Sequence, residues 1–369
     1  MNDYRYPSLF MYGSDQFAGN MEEYFSKHTN KLVVYIIHSA NSKHNLIRLY
    51  EEGKVVKEEK VPTSKNKILY YFYWYRFQVY ALSTYFSRTE PVVAICVHPL
   101  CFVGMSIMKL FRRITFVYMI GDYFPGINLL YKAFHIMKRF YHRYVPYVFY
   151  LSDPVNIVMN GSVVDTKNKK TIMWGVKSKN ILRKLSSTKK TLLFVGLIKD
   201  GQGLELALKF LKQHRDYTLK IIGICHPGWY EKIVNLIRLY GVKKQVYFPN
   251  RFFSDEELLQ ESKDCFVGIA PYTTETTNAS YYADPGKVKA YAEMGLPIVI
   301  SNTTAIIPYI RKFGCGEVIQ HSVQDLERAL IKMRKDYKSY LIGLARFNEY
   351  FHYDRYYKDK FSFLEDFWK

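Results

Sequence analysis

The residues with the clearest chemical potential lie in 278–301, NASYYADPGKVKAYAEMGLPIVIS. A polar, aromatic loop runs into Asp284-Pro285-Gly286-Lys287, followed by a short amphipathic stretch, Gly295, Pro297 and the apolar run Ile298–Ile300. Proline suits the first helical turn, where no backbone N–H partner is needed. The amides that follow it are then free to face an anion, helped by the helix dipole. Gly295 has the place of a C-cap, and Ile298-Val299-Ile300 reads as a buried parallel strand. The segment is a loop–helix–strand unit opening on a phosphate site. A second stretch, FVGLIKDGQGLELALKFL (194–211), has the strand, glycine turn and helix that hold a pyrophosphate on backbone amides. Its glycines at 196, 201 and 203 do not form GxGxxG, so an ordinary strand-to-helix turn is the competing reading.

The elements that must position these residues alternate regularly. Strands are expected at 31–39, at 91–99 and at 114–122, with a strand pair over 46–61. Helices are expected over 68–86, 101–113 and 126–144. The alternation resumes with TLLFVGL, TLKIIGI, QVYFP and CFVGIAPY, separated by helices over 203–213, 229–240 and 254–262. A helix over 323–342 and an aromatic-rich amphipathic helix over 346–369 end the chain. Apolar strands alternating with helices predict a parallel sheet covered on both faces. Residues 177–190 hold six cations and no anion, the pattern of a linker. The expected division is a domain over 1–176, the basic linker 177–190, a domain over 191–345, and a tail helix 346–369 packing back on the first domain. The fold class is α/β: two doubly wound, Rossmann-like domains facing across a cleft between the carboxyl ends of their strands.

Composition narrows the partners. The 369 residues carry a net charge of +20, which attracts lipid headgroups, nucleic acid or phosphorylated substrates. Basic residues alternate with aromatics, as in KRFYHRYVPYVFY (138–150), which suits a membrane surface, with a plain solvated basic surface as the competing reading. No helix-turn-helix, zinc finger or RNP-like run supports nucleic acid. Five cysteines in no zinc pattern point to a reducing compartment. The segments 68–86 and 91–111 are apolar but carry Arg76, Gln78, His98, Pro99 and Lys109, so they read as core elements rather than membrane spans. The opening MNDYRYPSLFMYG lacks the apolar stretch of a secretory signal. The expected location is cytoplasmic, peripheral on the inner face of the cell membrane.

The series VGL…G (195–203), IIG (221–223), VYFPNRFFSDEELL (246–259), GIAPY (268–272) and DPGKVKAYAEMGLPIVIS resembles the nucleotide-sugar-binding domain of GT-B glycosyltransferases, most closely glycosyltransferase family 4. The match covers roughly 191–305. SLFMYGSDQFAGNMEEY and IMWGV (172–176) are similar to the same family's opening strand–loop–helix and pre-linker turn, and GDYFP (121–125) falls where it has a short acidic or His motif. The resemblance implies sugar transfer from a nucleoside-diphosphate sugar, usually with retention. It places the diphosphate on the amides of Gly286, Lys287 and Val288, beside Asp284, with Gly19 approaching from the other domain. Lys199 and Lys287 would offset phosphate charge. Tyr272 and Arg251 would border the base or sugar, against the plainer readings of a core tyrosine and a solvated cation. Three positions depart from the family: Leu197 replaces an Arg, Gln202 a Lys, and Ala290 a Glu that holds donor hydroxyls, with Glu293 one turn away.

The other domain must supply a group for the acceptor. Asp122, beside Gly121 at a strand's carboxyl end, is the first choice for a proton-accepting carboxylate, and His98 before Pro99 the second. A turn aspartate and a structural histidine are the alternatives. No D-x-D motif or metal-spaced cluster occurs, so transfer without metal or other cofactor is expected. The function so read is a glycosyltransferase of hexosyltransferase type acting on a polysaccharide or lipid-linked acceptor. A non-catalytic scaffold in polysaccharide assembly and a sugar-nucleotide epimerase are the rivals.

Overall fold

A computed structural model describes residues 6–14, 19–38, 44–121, 123, 129–177, 190–275 and 279–367. The chain divides into two compact units, one of Met1–Gly175 with Tyr353–Lys369, the other of Val176–His352.

The first unit is built on eight strands: β1 (Tyr6–Ser14), β2 (Thr29–Ile37), β3 (His44–Glu51), β4 (Lys54–Pro62), β5 (Val92–Cys96), β6 (Ile114–Ile120), β7 (Tyr147–Tyr150) and β8 (Lys169–Thr171). Their order is β4-β3-β2-β1-β5-β6-β7-β8. β2, β1, β5, β6, β7 and β8 run parallel, and β3 and β4 extend the sheet as an antiparallel hairpin. The hairpin closes through Glu52 and Gly53, both at positive φ (50° and 77°), as a two-residue turn matched to strand twist requires. All five residues of β5 are buried, the continuous apolar run of a strand covered on both faces. The sequence order reverses between β1 and β5, so their carboxyl ends flank the switch point where open α/β sheets bind ligands.

The tail is not one helix. Helix Tyr337–Tyr350 ends at Phe351, and a separate helix, Tyr353–Lys360, begins after His352. The single helix expected over 323–342 is also two, Val323–Lys335 and the start of Tyr337–Tyr350, interrupted at Asp336. The periodic pattern continues through both breaks, which is why the breaks are silent in sequence. Helix Tyr353–Lys360 packs on Gly19–His28 in the first unit: Tyr24 and Tyr357 meet edge to face at 5.5 Å, and His28 pairs with Asp354 at 2.7 Å. Tyr357 ties the unit's two ends together. Its hydroxyl accepts from the Gly175 N–H (2.7 Å) and donates to Asn20 Oδ1 (2.7 Å), while Asn20 Nδ2 donates to the Gly175 carbonyl (2.6 Å).

The second unit has six strands: β9 (Thr191–Val195), β10 (Thr218–Ile222), β11 (Val246–Tyr247), β12 (Cys265–Ala270), β13 (Ile298–Ser301) and β14 (Gly316–Ile319). All are parallel, in the order β11-β10-β9-β12-β13-β14. The switch point lies between β9 and β12. Leu192, Phe194, Leu208, Phe210, Leu219 and Ile221 belong to its core. Residues 178–189, most of the expected linker, lie outside the described residues.

Tyr357→Phe should remove a buried hydroxyl that serves both the Gly175 N–H and Asn20 Oδ1 and leave that N–H without its partner. Destabilisation of about 1–3 kcal/mol is expected, read as a lowered denaturant midpoint. An unchanged midpoint would show that the tail does not hold the unit together.

Candidate functional site

The second unit's switch point is shaped by glycines that no other residue can replace. Gly196 follows β9 at φ +125°, and a Cβ at Gly223 would lie 2.0 Å from the Gly196 carbonyl oxygen. Gly203 opens helix Leu204–Gln213 at φ +69°, where a Cβ would meet the Pro271 carbonyl oxygen at 1.5 Å. The loops leaving β9 and β12 therefore press backbone to backbone, and the Thr273 N–H donates to the Gly201 carbonyl at 3.1 Å.

Tyr291, on helix Gly286–Glu293, holds the two strands at this point. Its fully buried hydroxyl accepts from the Val195 N–H (3.0 Å) and donates to the Ile269 carbonyl (2.8 Å). Direct pairing of β9 with β12 reaches only Leu193 and Gly268. Beyond it a side chain takes over the ladder's hydrogen bonds, and the strand ends are bridged through Tyr291. The ring requires Gly268, where a Cβ would lie 2.3 Å from Tyr291 Cγ. Sequence reading missed both residues. The glycine in CFVGIAPY was a visible signal of a close approach, but nothing named its partner.

Lys287 turns from the first turn of the same helix back onto β9. Its Cε lies 3.5 Å from the Cβ position of Gly196, and its Nζ donates to Gln202 Oε1 at 2.5 Å. The ammonium also sits over the rings of Phe194 (3.7 Å) and Tyr272 (4.9 Å). Burial, with the nearby charge of Lys199, pulls its pKa well below the usual lysine range. An anion placed here would restore the charged form. Gln202, where the related family has a lysine, gives Lys287 an acceptor rather than a repelling cation. Helix Gly286–Glu293 begins at Pro285 without a side-chain cap, and the space beside Gly286 is open.

The structure thus gathers Lys199, Tyr272, Gly286 and Lys287, and adds Gly196 and Gln202. Other expected residues fall elsewhere. The Val288 N–H is taken by the Pro285 carbonyl (3.0 Å), which corrects its expected role: it closes the first turn instead of facing an anion. Asp284 is buried 3.9 Å from Lys289 Nζ, itself buried and stacked 3.3 Å from the Phe351 ring centre. That pair braces the loop before Pro285 from within. Arg251 is exposed beyond β11, paired with Glu257 at 2.8 Å and stacked on Phe253 at 3.6 Å. Glu293 lies at the far end of its helix and accepts from the Lys177 N–H at 2.7 Å.

In the first unit, Gly19 opens helix Gly19–His28. His98 lies just past β5, at that unit's switch point, where it caps helix Pro99–Lys109: its Nδ1 accepts from the Leu100 N–H at 3.2 Å. The imidazole packs against Trp74 and Phe134, and burial, with the charge of Lys138, lowers its pKa to about 4. Asp122 lies outside the described residues. Among the described residues no group of three or more His, Cys, Asp or Glu could hold a metal ion.

The two units are doubly wound, and the second has glycine loops, an uncapped helix start and a buried lysine at its switch point, an arrangement suited to an anionic ligand. Comparison with known proteins agrees. Residues 177–342 match the glycosyl transferases group 1 family. A sucrose-phosphate synthase structure from Thermosynechococcus elongatus superposes with a TM-score of 0.73 at 12% identity, covering 98% of this chain and 99% of that one. Anabaena HepE in complex with UDP gives 0.67 at 12% identity, with 98% and 100% covered. The lipopolysaccharide outer core galactosyltransferase WaaB gives 0.65 at 15%, with 98% and 99% covered. No curated protein sequence matches the chain significantly. The chain has the GT-B fold of these structures, and its second unit carries the match to the glycosyl transferases group 1 family.

Two outcomes are expected. Tyr291→Phe leaves the Val195 N–H and the Ile269 carbonyl without this partner, so it should destabilise the second unit by about 1–3 kcal/mol, read as a lowered denaturant midpoint. An unchanged midpoint would show that the hydroxyl does not hold the strand ends. His98 binds no proton in the folded state until about pH 4, whereas unfolded histidine does so near its ordinary value. Its contribution to stability is therefore complete above about pH 6.5 and declines as pH falls toward 4. His98→Gln should flatten the stability–pH curve in that window, and an unaltered slope would refute the assignment.

Proposed function

We propose that the protein transfers a hexosyl group from a nucleoside-diphosphate sugar to a hydroxyl of a polysaccharide or lipid-linked acceptor, with retention and without metal. One observation carries this reading: Lys287 reaches back from the uncapped start of helix Gly286–Glu293 onto Gly196 at the switch point of a parallel sheet. The bond from the anomeric carbon to the diphosphate oxygen breaks, and the acceptor oxygen takes its place on that carbon. Negative charge then grows on the leaving diphosphate, where the Gly286 and Lys287 amides and the Lys287 ammonium stabilise it. Lys287 is buried against Gln202 with its pKa lowered by burial, and the arriving diphosphate supplies a counter-charge. His98 serves as a helix cap in this scheme, so Asp122 is the group proposed to receive the acceptor's proton. UDP is the first nucleotide to test, because HepE binds it in its crystal structure. The excess of cations supports a place on the anionic, cytoplasmic face of the membrane.

A second reading, a non-catalytic scaffold, is favoured by Ala290 and by Glu293, whose carboxylate already engages the Lys177 amide. A calorimetric screen of UDP, GDP, CDP and their sugars, followed by turnover assays, separates the two. Binding with donor hydrolysis or transfer supports the enzyme, and binding without turnover supports the scaffold. Lys287→Ala should weaken nucleotide affinity by roughly tenfold or more, the value of a charge-assisted hydrogen bond. Undiminished affinity would remove Lys287 from the site.

A further inference from the structure

Three helices of the first unit share one face of its sheet. Lys67–Tyr85, Pro99–Lys109 and Leu129–Tyr144 are consecutive crossovers moving the same way along the sheet, which right-handed connection places on the same side. Each packs against the next in order. A helix covering a sheet ordinarily turns polar residues outward. These do the reverse.

The outward stripe of Pro99–Lys109 and its extension is apolar at helical spacing: Val103, Ile107 (59% exposed) and Leu110 (79%), with Phe111 (70%) following. On Leu129–Tyr144 the stripe is Ile136 (70%), Phe140 (55%) and Tyr144 (66%). Lys67–Tyr85 adds Ile68, Leu69 and Phe72, all exposed. The charge around these stripes has one sign. Residues 67–85 carry two Lys or Arg, 99–113 three and 129–144 four, and none of the chain's 33 Asp and Glu lies in any of them. On Leu129–Tyr144 the exposed Lys132, Arg139 and Arg143 flank the apolar stripe.

We infer that this three-helix face is the protein's membrane-docking surface, seating Ile107, Leu110, Phe111, Ile136 and Phe140 among the acyl chains of an anionic bilayer while the surrounding cations meet its headgroups. Apolar side chains flanked by cations are what an interfacial helix needs. Among the described residues no helix is long and apolar enough to cross a bilayer, so contact is made from one side. An acidic protein would satisfy the cations and leave bulky aliphatic and aromatic tips in water. A second copy would oppose like charges. The inference rests on the membrane reading given above, names the surface responsible, and is independent of the donor chemistry.

The test is flotation of the full-length protein with vesicles of phosphatidylcholine, with and without added phosphatidylglycerol, at low and high salt. Binding should need the anionic lipid and weaken with salt. Arg139→Glu with Arg143→Glu should lower the bound fraction by roughly tenfold or more, since each juxtamembrane cation contributes about 1 kcal/mol. Ile107→Glu with Leu110→Glu should abolish the salt-resistant remainder. Leu239→Glu, an equally drastic change at a residue 71% exposed in the other unit, should leave flotation unchanged. Circular dichroism and UDP affinity confirm that each variant is folded. Undiminished flotation of both face variants would overturn the assignment. So would binding to heparin but not vesicles, which marks an acidic macromolecule, or a monomer–dimer equilibrium abolished by the Ile107 and Leu110 pair. Wild-type flotation without any nucleotide binding would leave the docking face standing and overturn only the donor reading.

Discussion

The hydroxyl of Tyr291 is the constraint on which the second unit's site depends. A parallel sheet can bind a ligand at its switch point only where adjacent strand ends part, and parted strands leave buried amides and carbonyls unsatisfied. Tyr291 resolves the conflict at Val195 and Ile269. It does so from the helix whose first turn carries Lys287. The same eight-residue helix therefore bridges the strands and delivers the cation. Tilting that helix would break the bridge and move the lysine together. The spacing of four between Lys287 and Tyr291 puts both on one helical face, toward the strands, and Gly196 and Gly268 are the backbone clearances that let each side chain reach its place.

Charge in this site is arranged by burial more than by number. Lys287 has one neutral acceptor, Gln202, and two aromatic faces, an environment that tolerates an amine but does not strongly favour an ammonium. Replacing Gln202 with lysine would put two cations within hydrogen-bond range. Without an anion neither could stay charged at low cost. A neutral residue at 202 therefore keeps like charge away from Lys287, and an arriving anion would favour its charged form. Behind it, Asp284 and Lys289 form a second buried pair under Phe351, where a pair costs less than either charge alone. That pair steadies the loop before Pro285 without facing the site.

The backbone of the site was legible in the sequence and its side-chain geometry was not. Pro285 and the glycines of 196–203 have conformational requirements that few residues meet, so their types reveal their places. Val288, Glu293 and Arg251 carry no such signature. Whether an amide faces a ligand or its own turn depends on a single hydrogen bond, as at Val288, and a cation beside Glu257 pairs with it wherever the loop leads. The tail shows the same limit at larger scale. Aromatic periodicity from 346 onward is compatible with one helix, and only packing of Tyr353 and Tyr357 against Gly175 and Asn20 bends the chain at Phe351–His352.

The first unit's helices show why composition alone could suggest a surface but not locate it. Tyrosine, phenylalanine and lysine are abundant throughout the chain, and many of the aromatics are spent in its cores, including Tyr6, Tyr12, Phe25, Tyr35 and Phe149. Apolar content by itself therefore says nothing about contact with lipid. The distinction comes from periodicity against burial. In Pro99–Lys109 the inward positions Cys101, Phe102 and Met105 already fill the sheet side, so the outward apolar residues at 103, 107 and 110 have no folding role to explain them. Exposed apolar stripes on adjacent helices are unfavourable in water and are tolerated where another phase completes them. The absence of any carboxylate from the same three segments removes the counter-charge that would keep an anionic surface away.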